Sequence, residues 1–168
     1  GSFPPYRASY PYGPGALAIY ALLEAGENPQ GERMAKAIDW LAEGETDRTY
    51  TMGLRCQVWL SANRKTPRDR FRNLLKRDVK ILTLSHVDGS YGYPSTGRES
   101  RLRGRRRPRV DNSNAQYGLL GVWAGARGGL EIDERYWVAV MKHWLGSQRN
   151  RTGAWPYRTE PQGRATMT

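Results

Sequence analysis

The sequence predicts an all-α fold of about six helices, built as three copies of a two-helix unit. Three observations predict it. Segments 15–44, 52–94 and 117–157 share one plan: apolar helix, short polar break, amphipathic helix, Gly-rich turn. Self-similarity of this kind marks a repeat architecture. Landmarks also recur, because Gly15, Gly53 and Gly118 open the three apolar helices at equivalent places, and Gly89-Ser-Tyr-Gly-Tyr93 matches Gly153-Ala-Trp-Pro-Tyr157. Finally, the two helices of a unit differ in kind. The first is apolar nearly all round and the second carries one apolar stripe, which predicts an inner layer buried on every side and an outer layer wet on one flank.

Taken in order, the first inner helix carries Leu17, Ile19, Tyr20, Leu22 and Leu23. Asn28-Pro29 places proline at the start of the first outer helix, where the missing N–H costs nothing. Thr66-Pro67 does the same for the second, whose stripe is Phe71, Leu74, Leu75, Val79 and Leu82. Residues 95–110 fit no helical pattern and read as a basic, mobile loop. Asp111-Asn-Ser-Asn114 offers N-cap side chains to the third inner helix, with Leu119, Leu120, Val122, Trp123 and Ala124. Asp133 or Glu131 caps the third outer helix, whose stripe is Trp137, Val140, Met141, Trp144 and Leu145. Residues 3–160 thus form one domain with repeats at about 10–44, 47–94 and 111–157, followed by a polar tail.

Length, charge and cysteine content bound the reading further. The 168 residues suffice for one domain with a real core. No apolar run reaches the length of a membrane span. Gly1-Ser2 reads as a cloning remnant of a longer parent. Cys56 is the single cysteine, so no internal disulfide holds the fold, and its plain role is a small buried apolar residue. Of the net charge of +11, residues 98–109 carry +6. The Trp- and Tyr-rich composition suits cavity rims and packed turns as well as a core.

Gln148-Arg-Asn-Arg-Thr-Gly153-Ala-Trp155 resembles the turn signature of the prenyltransferase and squalene-cyclase repeat proteins. In that signature a Gln precedes a Gly and an aromatic residue, usually Trp, after an outer helix. His86-Val-Asp-Gly89-Ser-Tyr91 is a second copy with Tyr for Trp and no Gln, and Asp111 to Gly121 looks like the opening of an inner helix in the same family. The resemblance covers residues 10–157 and implies an (α/α) toroid with inner and outer helical rings, part of a larger bacterial protein. A complete toroid of this family has about twelve helices, so six imply a half-ring, completed by more chain or by a second copy. In the turn, Gly allows the tight backbone, the ring stacks on the helix end and the Gln amide caps freed backbone groups.

The chemistry of that family does not carry over residue by residue. Squalene-type cyclisation needs an Asp-x-Asp-Asp proton donor, and the nearest acids, Asp133-Glu134, sit at a helix start. The protein prenyltransferases hold zinc with an Asp two residues before a Cys, where this chain has Leu54 before Cys56. The thioester proteins sharing the toroid need Cys-Gly-Glu-Gln, and Cys56-Gln57-Val58 departs from it. No nucleophile elbow or phosphate loop is present, so no catalytic residue, metal or cofactor is assigned.

Two sets of residues point to binding. The loops and first turns of inner helices rim the cavity in toroids, and by position these are Tyr12, Asp47, Tyr50, Asp111, Asn112, Asn114, Gln116 and Tyr117. They could hydrogen-bond and cover a polar ligand. Arg98, Arg101, Arg103, Arg105, Arg106, Arg107 and Arg109 could neutralise phosphates, though without interleaved aromatics to stack bases. The leading expectation is a non-catalytic module presenting a concave face to a protein or small-molecule ligand, with a homodimer completing the ring. The alternatives are a terpene-cyclase- or prenyltransferase-like enzyme with its catalytic residues elsewhere in the parent, and polyanion or nucleic-acid binding through the arginine run.

Overall fold

The computed structural model describes residues 12–93 and 109–158. Among them are six α-helices: α1 (Gly13–Glu24), α2 (Glu32–Glu43), α3 (Thr49–Lys65), α4 (Asp69–Ser85), α5 (Asn112–Arg127) and α6 (Glu134–Ser147). One antiparallel pair, β1 (Tyr91–Gly92) with β2 (Val110–Asp111), pairs Tyr91 with Asp111. The all-α expectation therefore stands. No helix among the described residues is long and apolar enough to cross a membrane.

The middle inner helix is the axis of the molecule. From Thr51 to Ala62 every residue of α3 is buried, wrapped by α1, α4 and α5. Even its polar side chains are tied down: Gln57 Nε2 donates to Leu120 O at 2.8 Å and Ser61 Oγ to Glu24 at 2.7 Å. The α3–α5 contact is glycine-mediated, and a Cβ on Gly121 would lie 3.0 Å from the Gly53 Cα.

The other two inner helices correct the expectation of burial on every side. Leu17 and Leu22 of α1 are 54% and 48% exposed, and Trp123 of α5 is 42% exposed. The physical reason is position: α1 and α5 each pack against α3, and among the described residues neither has a further inner helix on its other side. Composition marks a helix as apolar but does not say whether a neighbour exists to cover it.

The outer helices follow their stripes in two units of three. Met34, Ile38 and Leu41 of α2 are buried, as are Phe71, Leu75, Val79 and Leu82 of α4. In α6 the expected stripe is displaced, because Tyr136 and Val140 are buried while Met141 and Leu145 are 54% and 67% exposed. The Tyr136 hydroxyl meets that of Tyr91 at 3.1 Å, which turns the helix toward that side. Both prolines also sit slightly earlier than expected, in the turns before Glu32 and Asp69. Of the two candidate caps for α6, Asp133 is the one used, accepting from the Arg135 backbone N–H at 2.8 Å.

The Gly-rich ends of the second and third units each turn on a left-handed glycine, in loops of different length. Asp88-Gly89 forms a two-residue hairpin with φ of 52° and 83°, closed by reciprocal bonds between Val87 and Ser90. Both central residues being left-handed is the type I′ geometry that Asp-Gly favours. Glycine is doubly required here, since a Cβ would lie 2.2 Å from Ala139 O on α6. In the third unit Gln148 Nε2 donates to Gly153 O at 2.9 Å, and Gly153 has φ 69°.

Candidate functional site

The first turns of α3 and α5 meet the ends of their own units, and this junction gathers most of the sequence-selected residues. The first residue of a helix has a backbone N–H without an intrahelical acceptor. Thr49 gives its N–H to Tyr93 O (3.1 Å) and its hydroxyl to Gly92 O (2.6 Å). Asn112 gives its N–H to Tyr157 O (3.0 Å) and its amide N–H to Pro156 O (2.7 Å). Thr49 and Asn112 are equivalent, and so are Tyr93 and Tyr157. The second and third units are thus each closed by a matching pair of bonds, from the first residue of the inner helix to the last tyrosine and to the residue before it.

Around these bonds lies an aromatic cluster. The Tyr50 ring sits 4.2 Å from that of Tyr117 and 6.2 Å from that of Tyr93. Tyr50 and Ser113 share a hydrogen bond between hydroxyls, and Tyr93 and Tyr157 share another at 3.1 Å. Burial raises the Tyr50 phenol above its ordinary value despite the opposing Ser113 bond. The Tyr157 phenol is raised mainly by its bond to Tyr93. Both therefore stay neutral at physiological pH and act as hydrogen-bonding groups rather than as bases.

The polar side chains beside them are mutually engaged. Asp111 caps α5, taking the Asn114 backbone N–H at 2.8 Å on one oxygen and the Asn114 amide at 2.9 Å on the other. Because Asn112 Nδ2 is committed to Pro156 O, its Oδ1 faces His143 Nε2 at 2.7 Å. An amide oxygen only accepts, so Nε2 of His143 carries the proton. Burial lowers the His143 pKa, favouring the neutral ring. His143 thus points at an amide and not at the Ser113 hydroxyl. The cluster lacks the nucleophile–base pairing that acyl transfer requires.

Of the eight residues selected from sequence, Tyr50, Asp111, Asn112, Asn114 and Tyr117 come together here. Tyr12 stands apart, its ring 5.0 Å from Trp40 and against Gly44. Gln116 is exposed. Asp47 lies on the lip of a different recess, 3.3 Å from Arg48. Ser113, Tyr93, Tyr157 and His143 belong to the cluster and were not selected. The matched turn ends at Tyr93 and Tyr157 held the signal for two of them. Of the arginine run, Arg109 is exposed, and the other six lie outside the described residues.

The recess carrying Asp47 is about 640 Å³ and reaches a buried ion pair. Arg55 Nε lies 3.0 Å from Asp78 Oδ2, and Arg55 Nη1 donates to Gly44 O at 2.8 Å. Asp78 also accepts from Trp59 Nε1 at 2.8 Å and Arg77 Nε at 2.9 Å. Burial raises the Asp78 pKa, partly countered by Trp59 and Arg77. Cys56 is fully buried beside this network, its thiol pushed well up by burial and then by Asp78. Among the described residues no three His, Cys, Asp or Glu side chains gather as metal ligands would. Comparison with protein-family models, curated proteins and solved structures finds no match to this chain.

Proposed function

We propose that this chain is a non-catalytic binding module of the (α/α) toroid type, whose partner covers the apolar residues exposed on its end helices. The observation that carries the reading is Leu17 and Leu22 on α1, with Trp123 on α5 and Met141 and Leu145 on α6, all at least 42% exposed. Repeat proteins that stop at their last unit cover it with a polar outer face. Here the first and third units expose large apolar side chains, which water penalises. The toroid reading is supported by the repeated closure at Thr49–Tyr93 and Asn112–Tyr157 and by the Gln148–Gly153–Trp155 turn. The non-catalytic reading is supported by a tyrosine cluster whose polar groups mainly serve one another.

The partner proposed is a second copy, seated end to end. Sedimentation equilibrium tests it directly. The wild-type chain is expected to associate with rising concentration, and Leu17→Ser with Leu22→Ser, or Met141→Ser with Leu145→Ser, to shift it to monomer. A wild-type chain that stays monomeric from micromolar to millimolar concentration overturns this assignment.

A further inference from the structure

A second surface has a different chemistry. A groove of about 710 Å³ runs between α4 and the segment joining α5 to α6. Its floor is apolar: Leu84, half exposed, with Leu130, Ile132 and the buried Tyr136. One lip is basic. Arg72, Lys76 and Lys80 stand at four-residue intervals on α4, so all three project from one face. Beyond the floor Arg135 lies 3.8 Å from Asp133, so that pair is balanced, and Glu131 lies on the opposite lip.

The three cations of α4 have no carboxylate partner among the described residues. Some other exposed cations do: Arg70 reaches Asp39 at 2.6 Å, Lys36 reaches Glu32 at 2.7 Å and Arg77 reaches Asp78 at 2.9 Å. Like charges four residues apart disfavour a helix. The row from Arg72 to Lys80 therefore works against α4 in the isolated chain, and acidic groups laid along it would reverse that. The row is about 12 Å long at helical rise, or two turns.

We propose that this groove docks an amphipathic helix of a partner protein, with its apolar face on Leu84, Leu130 and Ile132 and its acidic flank along Arg72, Lys76 and Lys80. Helix-in-groove contacts read apolar anchors at a spacing of three and four residues, which suits an aliphatic floor between two lips. Glu131 on the far lip gives the occupant a direction, since it repels an acidic flank on that side. Nucleic acid fits less well. Bases stack on open ring faces, whereas Tyr136 is buried with its hydroxyl on Tyr91. A concave site with two lips also differs from the flat face that a membrane surface meets. This inference stands apart from self-association, because none of the groove residues named is among the exposed end-face residues.

The test uses a fluorescein-labelled peptide of three to four helical turns, with Leu at helical spacing and Glu along one flank, read by fluorescence anisotropy against the full chain. Binding is expected to weaken with salt. Arg72→Glu, Lys76→Glu and Lys80→Glu together are expected to weaken it by at least about tenfold. Leu84→Ser should weaken it with the charges intact. Arg64→Glu with Lys65→Glu, at the exposed end of α3, should leave it unchanged, and circular dichroism checks that each variant keeps its helices. Equal binding of a Lys-for-Glu peptide, or unchanged affinity after the triple reversal, overturns the proposal. So does absence of peptide binding with capture of phosphatidylserine vesicles or single-stranded DNA through the same three cations.

Discussion

A single residue, Gly53, sets how closely the central helices approach. A Cβ on Gly53 would lie 2.3 Å from Tyr117 O, a backbone atom that cannot swing aside. Gly53→Ala is expected to destabilise by about 1–3 kcal/mol through overpacking. Gly146 on α6 has nothing within 4 Å of its Cβ position, so Gly146→Ala should stabilise by about 0.5–1 kcal/mol. Urea denaturation of both variants measures the contrast, and equal effects would mean that α3 and α5 are not in tight contact. Sequence placed Gly53 at the opening of an inner helix but could not show what it touches, because Tyr117 is far along the chain. The Arg55–Asp78 pair was equally illegible. Arg55 reads as an interruption in an apolar run, and its partner lies on the next helix. Leaving one buried charge alone is costly, so Asp78→Ala should lose about 3–5 kcal/mol, whereas Arg55→Met with Asp78→Leu should recover most of it. Thermal unfolding of the single and double variants decides this.

At the scale of elements, the helical plan was legible where it is carried by short-range pattern. The α4 stripe, the Asp111 cap and the Gly-Tyr and Gly-Trp turns all follow from residues close in sequence. The α6 stripe was not, because Tyr136 turns that helix through a hydroxyl contact with a residue on β1. The missing Gln of the second turn has a structural answer. His86 Nδ1 accepts the Gly89 backbone N–H at 3.1 Å, so imidazole braces this turn where the Gln148 amide braces the other. His86→Ala should therefore cost about 0.5–1.5 kcal/mol, with His86→Gln recovering part of it, as chemical denaturation can measure. The second histidine acts on another junction. Burial holds the folded His143 pKa below the 6.5 of an ordinary histidine, so below that value the unfolded chain binds protons first. Stability is then full above the unfolded pKa and falls as pH drops through the window beneath it. Unfolding measured from pH 7.5 downward should show this decline, and His143→Gln should flatten it. An identical slope in the variant would remove His143 as its source.

At the scale of the molecule, burial is graded outward from α3 rather than shared evenly among three units. Twelve consecutive buried residues of α3 contrast with two buried residues on α6, Tyr136 and Val140. The last helix is held mainly by large side chains: Tyr136 on Tyr91, Trp144 against Trp155 with 6.1 Å between ring centroids, and the Trp155 indole N–H on Trp144 O at 3.0 Å. Regions with few buried apolar contacts open locally at lower free energy than the core they rest on. Native-state hydrogen exchange should accordingly rank α3 as most protected, with α6 exchanging first through an opening that leaves α1 to α5 folded. Self-association through Met141 and Leu145 would raise protection of α6 selectively as concentration increases, since whatever binds the folded form alone stabilises it by mass action. Uniform protection across all helices, independent of concentration, would mean that the third unit is as firmly seated as the second and that its exposed apolar side chains have no partner to gain.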